Sequence, residues 1–399
     1  MNFKEIKDGI YYVGTNDFTT KLFEALWPLP LGISYNSYIV KGEKIALVDC
    51  VEISQSNKLA NNVKSIIGVR HPDYLIINHM EPDHSGAINV LRTYFPDMKI
   101  VGNAITLDMV RGFYGIYDNL IEVSDNDTID LGGKILRFRL TPMVHWPETM
   151  MTYIEEDRTL FSGDAFGCFG ALNGGIVDAD INTTPYFPEM YRYYSNIIGK
   201  YGKAVQRAFS KISDLEIEYI CPAHGPVWYE EIDRVFSIYN RLSRYIGEPG
   251  VVVAYGSMYG NTSAMADAIA IRLSSNGIKD VKIYNVSYSH QSYILGDIFR
   301  YSGLVIGSPT YSGGLFPPIE NLIAAIKNRG LCNRVVATFG SFSWGAQAVK
   351  TMNSMLENCR LLNLDNISSV ESKHAPAPST IAACYHLADR LSRNLVSEF

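Results

Sequence analysis

Cysteine is sparse in this sequence, and no two cysteines form a Cys-x-x-Cys pair: Cys50, Cys168, Cys221, Cys332, Cys359 and Cys384 are scattered along 399 residues. Such spacing encodes neither a disulfide framework nor an iron knuckle of the rubredoxin type. Cys50 and Cys221 lie in or beside apolar strand-like runs, where a buried, inert thiol is expected. None of the six is assigned a chemical role. An excess of positive charge is also missing. The formal net charge is −6, so a nucleic acid or an anionic membrane would find no basic field, and neither is expected as a partner. No stretch approaches the roughly 18 uninterrupted apolar residues that cross a bilayer. The opening MNFKEIKDGIYYVG shows no apolar run followed by a small-residue cleavage site, and a cytoplasmic location is the expectation.

What the chain does have is length and apolar content for more than one core, with 47% hydrophobic residues, so two domains are expected. Up to about residue 245, short β-type runs such as Tyr74 to Asn78, Ile135 to Leu140 and Met150 to Ile154 alternate with turn residues and with helix-like stretches such as Ser56 to Ile67. This texture predicts a layered α+β sandwich. It changes at Arg244-Tyr-Ile-Gly-Glu-Pro-Gly250, where Gly247, Pro249 and Gly250 are expected to interrupt regular structure. We therefore divide the chain into 1–249 and 250–399. From Val251 a short apolar strand, a loop and a helix recur, the pattern of a doubly wound parallel sheet.

In the second half, the first strand runs into Ser257-Met-Tyr-Gly-Asn-Thr262 and then directly into a helix. A phosphate there meets free backbone N–H groups and the positive end of the helix dipole. The absence of Lys or Arg suits one phosphate monoester held by neutral donors, not a triphosphate. Two later loops, Ser308-Pro-Thr-Tyr-Ser-Gly-Gly314 and Gly340-Ser-Phe-Ser-Trp-Gly345, follow strands and are rich in glycine and aromatic residues suited to a flat ring. Either loop alone reads as an ordinary cap or as core. Together the three resemble the phosphate loop and the two ring-binding loops of flavodoxin. That resemblance implies FMN, with Ser257, Met258, Tyr259, Asn261 and Thr262 at its phosphate end. Pro309, Thr310, Tyr311, Gly313, Ser341 and Trp344 then surround the isoalloxazine.

In the first half, the run Tyr74-Leu-Ile-Ile-Asn78 is followed by His79-Met-Glu81-Pro-Asp83-His84. Spacing of two in extended backbone sends His79, Glu81 and Asp83 to one side, and Ser85 is placed to cap the next helix. His145, Asp164 and His224 each lie beyond a later strand, so a sandwich can gather all seven at one edge. His71, His290, His374 and His386 are read as structural. The pattern resembles the metallo-β-lactamase superfamily, whose zinc hydrolases carry His-x-His-x-Asp-His, but Glu81 replaces the second histidine. This adds a negative charge and a hard oxygen donor. Were the site to hold two ferrous ions, three carboxylates would leave about +1, which one hydroxide would neutralise.

The ligand order and spacing, joined to a flavodoxin-like half, resemble the flavodiiron (A-type flavoprotein) family across essentially the whole chain. The resemblance implies an αββα sandwich followed by a flavodoxin-like sheet, and reduction of dioxygen to water or nitric oxide to nitrous oxide. It implies one iron on His79, Glu81 and His145, the other on Asp83, His84 and His224, and Asp164 bridging; His84 is the variable position of the family. Many members carry Phe-His-Gly where this chain reads Phe23-Glu24-Ala25, which puts Glu24 over the substrate pocket, and Tyr193 matches a tyrosine lining that pocket. The family also implies a head-to-tail homodimer. With one set of flavin loops and no Gly-x-Gly-x-x-Gly fingerprint, an external electron donor is expected. Two alternatives stand beside this reading: a zinc hydrolase with an appended flavodoxin module, and an electron carrier with a non-catalytic first domain.

Overall fold

A computed structural model describes residues 4–357 and 368–396, so Cys359 lies outside the described residues. The chain forms two compact units, Met1–Tyr193 with Lys203–Asn240, and Tyr194–Gly202 with Arg241–Phe399.

In the first unit, short strands alternate side chains between a shared core and an outer helical layer. One sheet has seven strands in the order Lys4–Lys7, Ile10–Tyr12, Tyr38–Lys41, Ile45–Val48, Tyr74–Ile76, Lys99–Gly102 and Leu120–Glu122. Its pairs are antiparallel as far as Ile45–Val48 and parallel from there on. A second sheet of five holds Thr128–Asp130, Ile135–Leu140, Met150–Ile154, Thr159–Gly163 and Tyr219–Pro222. The sheets meet face to face: the Tyr38 ring lies 5.3 Å from that of Phe161, and its hydroxyl donates to the Pro222 carbonyl at 2.7 Å. Outside them, the helix Ser56–Ile67 buries Leu59, Ala60, Val63 and Ile67 along one stripe and ends on Gly68, whose φ of 63° spares a side chain the left-handed penalty. Each such buried Leu, Ile or Val is worth roughly 1.5–3 kcal/mol. The result is an αββα sandwich whose strand ends supply the loops described below.

The second unit is built on five parallel strands in the order Val281–Asn285, Glu248–Tyr255, Tyr301–Pro309, Val335–Phe342 and Ser368–Lys373. Counted along the chain this is 2-1-3-4-5, so the order reverses beside Glu248–Tyr255 and leaves a crevice at the carboxyl ends. Helices Asn261–Ser275 and Pro378–Val396 cover one face over Val251, Val253, Met265, Ile269, Leu387 and Leu391. They are tied by a two-pronged Arg272–Asp389 pair at 2.6 and 3.0 Å. One expectation changes here: Pro249 and Gly250 do not interrupt the strand but belong to it. The ladder to Tyr301–Pro309 shifts register between Glu248 and Val251, and such an irregularity absorbs a proline that cannot donate and a glycine with no side chain to pack.

Candidate metal centre and flavin cavity

The metal-type residues are positioned by the strand Tyr74–Ile76 and the turn after it. Asp49, held at φ 52° beyond its own strand, accepts from the Asn78 N–H at 2.7 Å and from the Asn78 amide at 3.0 Å, fixing the backbone just before His79. The next residues depart from extended geometry. Pro82 opens a single helical turn, Pro82–Ser85, with Glu81 in front of it at φ −56° and ψ 141°. Asp83 is therefore swung away from His79 and Glu81 and meets His84 and His224 instead. Nor does Ser85 cap a following helix: its hydroxyl donates back to the Met80 carbonyl at 2.8 Å.

Two groups result, His79, Glu81, His145 and Asp164, and Asp83, His84 and His224, each with one ligand atom per residue within 4.8 Å of the others. Glu81 Oε2 lies 3.3 Å from His79 Nε2 and 3.0 Å from His145 Nε2. Asp83 Oδ2 lies 3.3 Å from His84 Nε2 and 3.0 Å from His224 Nε2. Asp164 serves both. Its Oδ2 is 3.1 Å from His145 Nε2, and its Oδ1 is 3.0 Å from His84 Nε2. All seven side chains are buried.

Burial favours neutral histidine, yet the facing carboxylates prevail. His79 is pushed up to about 10, mainly by the Glu148 and Glu81 hydrogen bonds, and His145 to about 10 by Asp164 and Glu81. His84 rises to about 9 through the charges of Asp83 and Asp164. Glu81 and Asp164 are held well below the usual carboxylate range by the same histidines. Both Asp83 oxygens, Asp164 Oδ2 and His224 Nε2 are nonetheless buried with no partner in hydrogen-bonding geometry, close as the facing ligand atoms are. Orphaned lone pairs converging on two points fit a pair of cations, and imidazole with carboxylate and no thiolate fits iron.

Three further groups complete the surroundings. Glu148, missed in the sequence, accepts at Oε1 from His79 Nδ1 at 2.7 Å and from the Met80 N–H at 2.9 Å; an acid three residues past His145 was its only signal. His224 Nδ1 donates to the Ser34 carbonyl at 2.7 Å, which a backbone acceptor gives no way to read. Tyr193 is fully buried against His224, with ring centres 5.6 Å apart, and its hydroxyl meets no partner in hydrogen-bonding geometry. Burial, then the charges of Asp164 and Asp83, hold its proton on.

Glu24 sits at φ 48° in the turn between Leu22–Phe23 and Trp27–Pro28 and accepts from Trp27 Nε1 at 2.9 Å. Desolvation of its carboxyl and then the Glu81 charge push it up to about 7. The residue as a whole is exposed, and solvent moderates that shift. The remaining histidines do structural work or face solvent: His71 packs on Phe95, His290 caps the helix Gln291–Arg300, His374 takes φ 64° in a turn, and His386 is exposed.

In the second unit, a cavity of about 250 Å³ opens at the ends of Glu248–Tyr255, Tyr301–Pro309 and Val335–Phe342. Ser257, Met258, Tyr259, Asn261, Thr262, Pro309, Thr310, Gly313, Ser341 and Trp344 line it, together with Ser312, Phe342, Ser343, Gly345 and Gln347, which were not singled out. Tyr311 is not among the lining residues; it turns its ring toward Phe316, 6.1 Å away. The helix Asn261–Ser275 starts behind Gly260 at φ 92°, a conformation suited to glycine, and its first two residues, Asn261 and Thr262, line the cavity. Thr262 and Ser341 hydroxyls bond at 2.9 Å. Thr310 Oγ1 accepts from Gln347 N and Ala348 N at 3.2 Å each, tying the second loop to the third. Trp344 and Tyr259 are 97% and 91% exposed, so flat apolar surface stands uncovered at the rim. Neutral donors at a helix start beside free aromatic faces fit a phosphate-bearing flat cofactor.

Residues 33–225 match the ODP family beta lactamase model, and residues 253–386 match the flavodoxin model. An uncharacterised protein of Methanocaldococcus jannaschii is 32% identical over 389 residues, covering 97% of this chain and 98% of that protein. The anaerobic nitric oxide reductase flavorubredoxin of Escherichia coli is 31% identical over 394 residues, covering 97% of this chain and 81% of that protein. Among solved structures, rubredoxin oxygen:oxidoreductase from Desulfovibrio gigas superposes with a TM-score of 0.92 at 26% identity, over 99% of both chains. The flavodiiron protein of Giardia intestinalis shares the fold, with a TM-score of 0.93 at 23% identity over 100% of this chain and 97% of that one.

Proposed function

Because this chain belongs to the flavodiiron protein family, we propose that it is an oxidoreductase reducing dioxygen to water and nitric oxide to nitrous oxide, with iron in the first unit and FMN in the second. The observation that carries the reading is Asp164, whose two oxygens face two separate groups of histidine and carboxylate. In this assignment His79, Glu81 and His145 hold one iron, Asp83, His84 and His224 hold the other, and Asp164 bridges. When bound, the iron pair and FMN supply two electrons each, enough for dioxygen to become two waters or for two nitric oxide molecules to couple.

The chain's own residues then have three tasks. The carboxylates keep the cations together and balance their charge. Tyr193, whose phenol keeps its proton, sets its O–H beside Asp164, with its ring against His224. Glu24, its carboxyl raised by desolvation and by the Glu81 charge, stands where it can relay a proton between solvent and the neighbourhood of Glu81. In the cavity, Ser257, Asn261 and Thr262 with the helix start receive the FMN phosphate, and Pro309, Thr310, Gly313, Ser341 and Trp344 border the ring; Tyr311 stands at the rim in this assignment. Glu81 in place of the second histidine weighs against zinc hydrolysis, and the intact set of seven weighs against a decayed scaffold.

Residues 1–249 form the iron-holding part and 250–399 the FMN-holding part in this reading. An external donor supplies electrons, the chain works as a head-to-tail homodimer, and it acts in the cytoplasm; no helix among the described residues is long and apolar enough to cross a membrane. The test is metal and flavin analysis followed by anaerobic reduction and rapid mixing with dioxygen or nitric oxide. Two irons and one FMN per chain, with both gases reoxidising the flavin, are expected. Full zinc occupancy with no gas reduction after iron reconstitution would sink the proposal.

A further inference from the structure

The histidines of the two groups are not backed alike. Glu148 is fully buried, and its Oε1 receives both His79 Nδ1 and the Met80 N–H. Oε1 accepts from the Met80 N–H, and an ionised carboxylate can only accept, so the neutral imidazole that iron requires carries its proton on Nδ1. The lone pair of His79 is thereby left on Nε2, the atom facing Glu81 and Asp164. In the other group, His224 Nδ1 is backed by the neutral Ser34 carbonyl, and His84 Nδ1 has no partner among the described residues. The backbone of Glu148 is itself anchored, because the Asn103 amide donates to the Glu148 main-chain carbonyl and Asn103 caps the helix Ala104–Tyr114.

We propose that Glu148 is a positioning residue that locks His79 in its ligating tautomer and makes the iron beside His79 the more easily oxidised of the pair. This rests on the ligand assignment given above. A carboxylate behind an imidazole raises its basicity and stabilises the higher metal charge, whereas a carbonyl does so less. In the couple concerned, one electron leaves the iron beside His79, Fe²⁺ becoming Fe³⁺, with no bond made or broken at Glu148. In a titration that electron passes to the added mediator.

The experiment uses full-length holoprotein, native and with Glu148→Gln or Glu148→Leu. Iron retention against a chelator and a mediated redox titration followed by electron paramagnetic resonance are the readouts. Glu148→Leu should weaken iron retention by about 10–100-fold, with FMN content unchanged. Glu148→Gln can keep both acceptor contacts while removing the charge. It should retain iron, raise the first oxidation potential and reduce the mixed-valence signal; a tenfold loss of ferric preference is about 59 mV for one electron. Native iron affinity, potentials and mixed-valence spectrum in both variants would overturn the proposal. If Glu148→Leu does not fold, the potential of Glu148→Gln decides alone. Failure of the diiron reading is distinguishable, since the native protein would then lack two irons before any substitution.

Discussion

In the ligand assignment proposed above, Asp164 carries the heaviest burden of any single residue, because two neighbouring cations repel unless an anion lies between them. Replacing it by alanine removes that anion and both bridging contacts while leaving the flavin cavity, which lies in the other compact unit, untouched. Asp164→Ala is expected to lose iron by at least about 100-fold in affinity and to retain FMN, as read from metal analysis and the flavin absorbance of one sample. Equal loss of both cofactors from a folded protein would contradict two separate sites. The histidines give a second expectation. Metal-free protein holds His79, His84 and His145 protonated at neutral pH, since each is raised to between about 9 and about 10. Iron can bind only the neutral imidazole, so loading must expel those protons. Iron affinity should therefore rise with pH and level off once pH passes about 10. Ferrous iron added anaerobically to weakly buffered apoprotein at pH 7 should acidify it, and an unchanged pH with full loading would show that the histidines were already neutral.

At the scale of elements, the regular runs were the legible part. Ile135–Leu140, Met150–Ile154 and Ser56–Ile67 fall where periodicity places them, since each is an uninterrupted pattern with a buried face. What escaped was set by partners distant in sequence or by one residue's geometry. Lys99–Gly102 and Leu120–Glu122 are four and three residues long, too short for a period to show, and gain their strand character from parallel neighbours. Pro82 converts an expected extended ladder into a helical turn and so moves Asp83 to the second group, a switch that counting ligand spacings cannot reveal. Pro249 and Gly250 look like a stop but sit at a register shift. The flavin loops were readable because glycine and hydroxyl residues cluster after strands; what ties them together was not. Thr310 supplies a hydroxyl to two N–H groups that open the helix Ala348–Glu357. Thr310→Val should cost about 1 kcal/mol of stability and weaken FMN retention with iron content unchanged, seen by flavin release on dilution and by thermal melting. Trp344→Ala, at a residue 97% exposed, should alter flavin retention or potential without lowering the melting temperature of the FMN-free protein. A large fall in that temperature would make Trp344 a packing residue after all.

The whole molecule poses the question of which flavin serves which metal centre. Among the described residues, the cavity assigned to FMN and the pair of metal groups lie in separate compact units. In the head-to-tail homodimer proposed above, the FMN of one chain works with the irons of its partner, and that arrangement makes a prediction that a monomer or an intrachain path does not share. Take one variant that cannot hold iron, Asp164→Ala, and one that cannot hold FMN, Ser257→Glu, which sets a carboxylate where the phosphate must lie. Each homodimer alone lacks one cofactor throughout and should be inactive. Mixed, dissociated and reassociated in equal amounts, half of the dimers should be heterodimers, each with one competent pairing: the flavin of the iron-free chain facing the irons of the flavin-free chain. Activity should then return to about a quarter of the native value if chains pair at random. The measurement is dioxygen consumption, and separately nitric oxide consumption, with dithionite-reduced methyl viologen as the donor, because the chain carries no dinucleotide fingerprint through which NADH could reduce it directly. Recovery confined to the mixture, and dependent on dissociation before mixing, supports transfer between chains. No recovery, with heterodimers shown to be present by a size-tagged partner, would place the working pair of cofactors within a single chain and remove the head-to-tail arrangement.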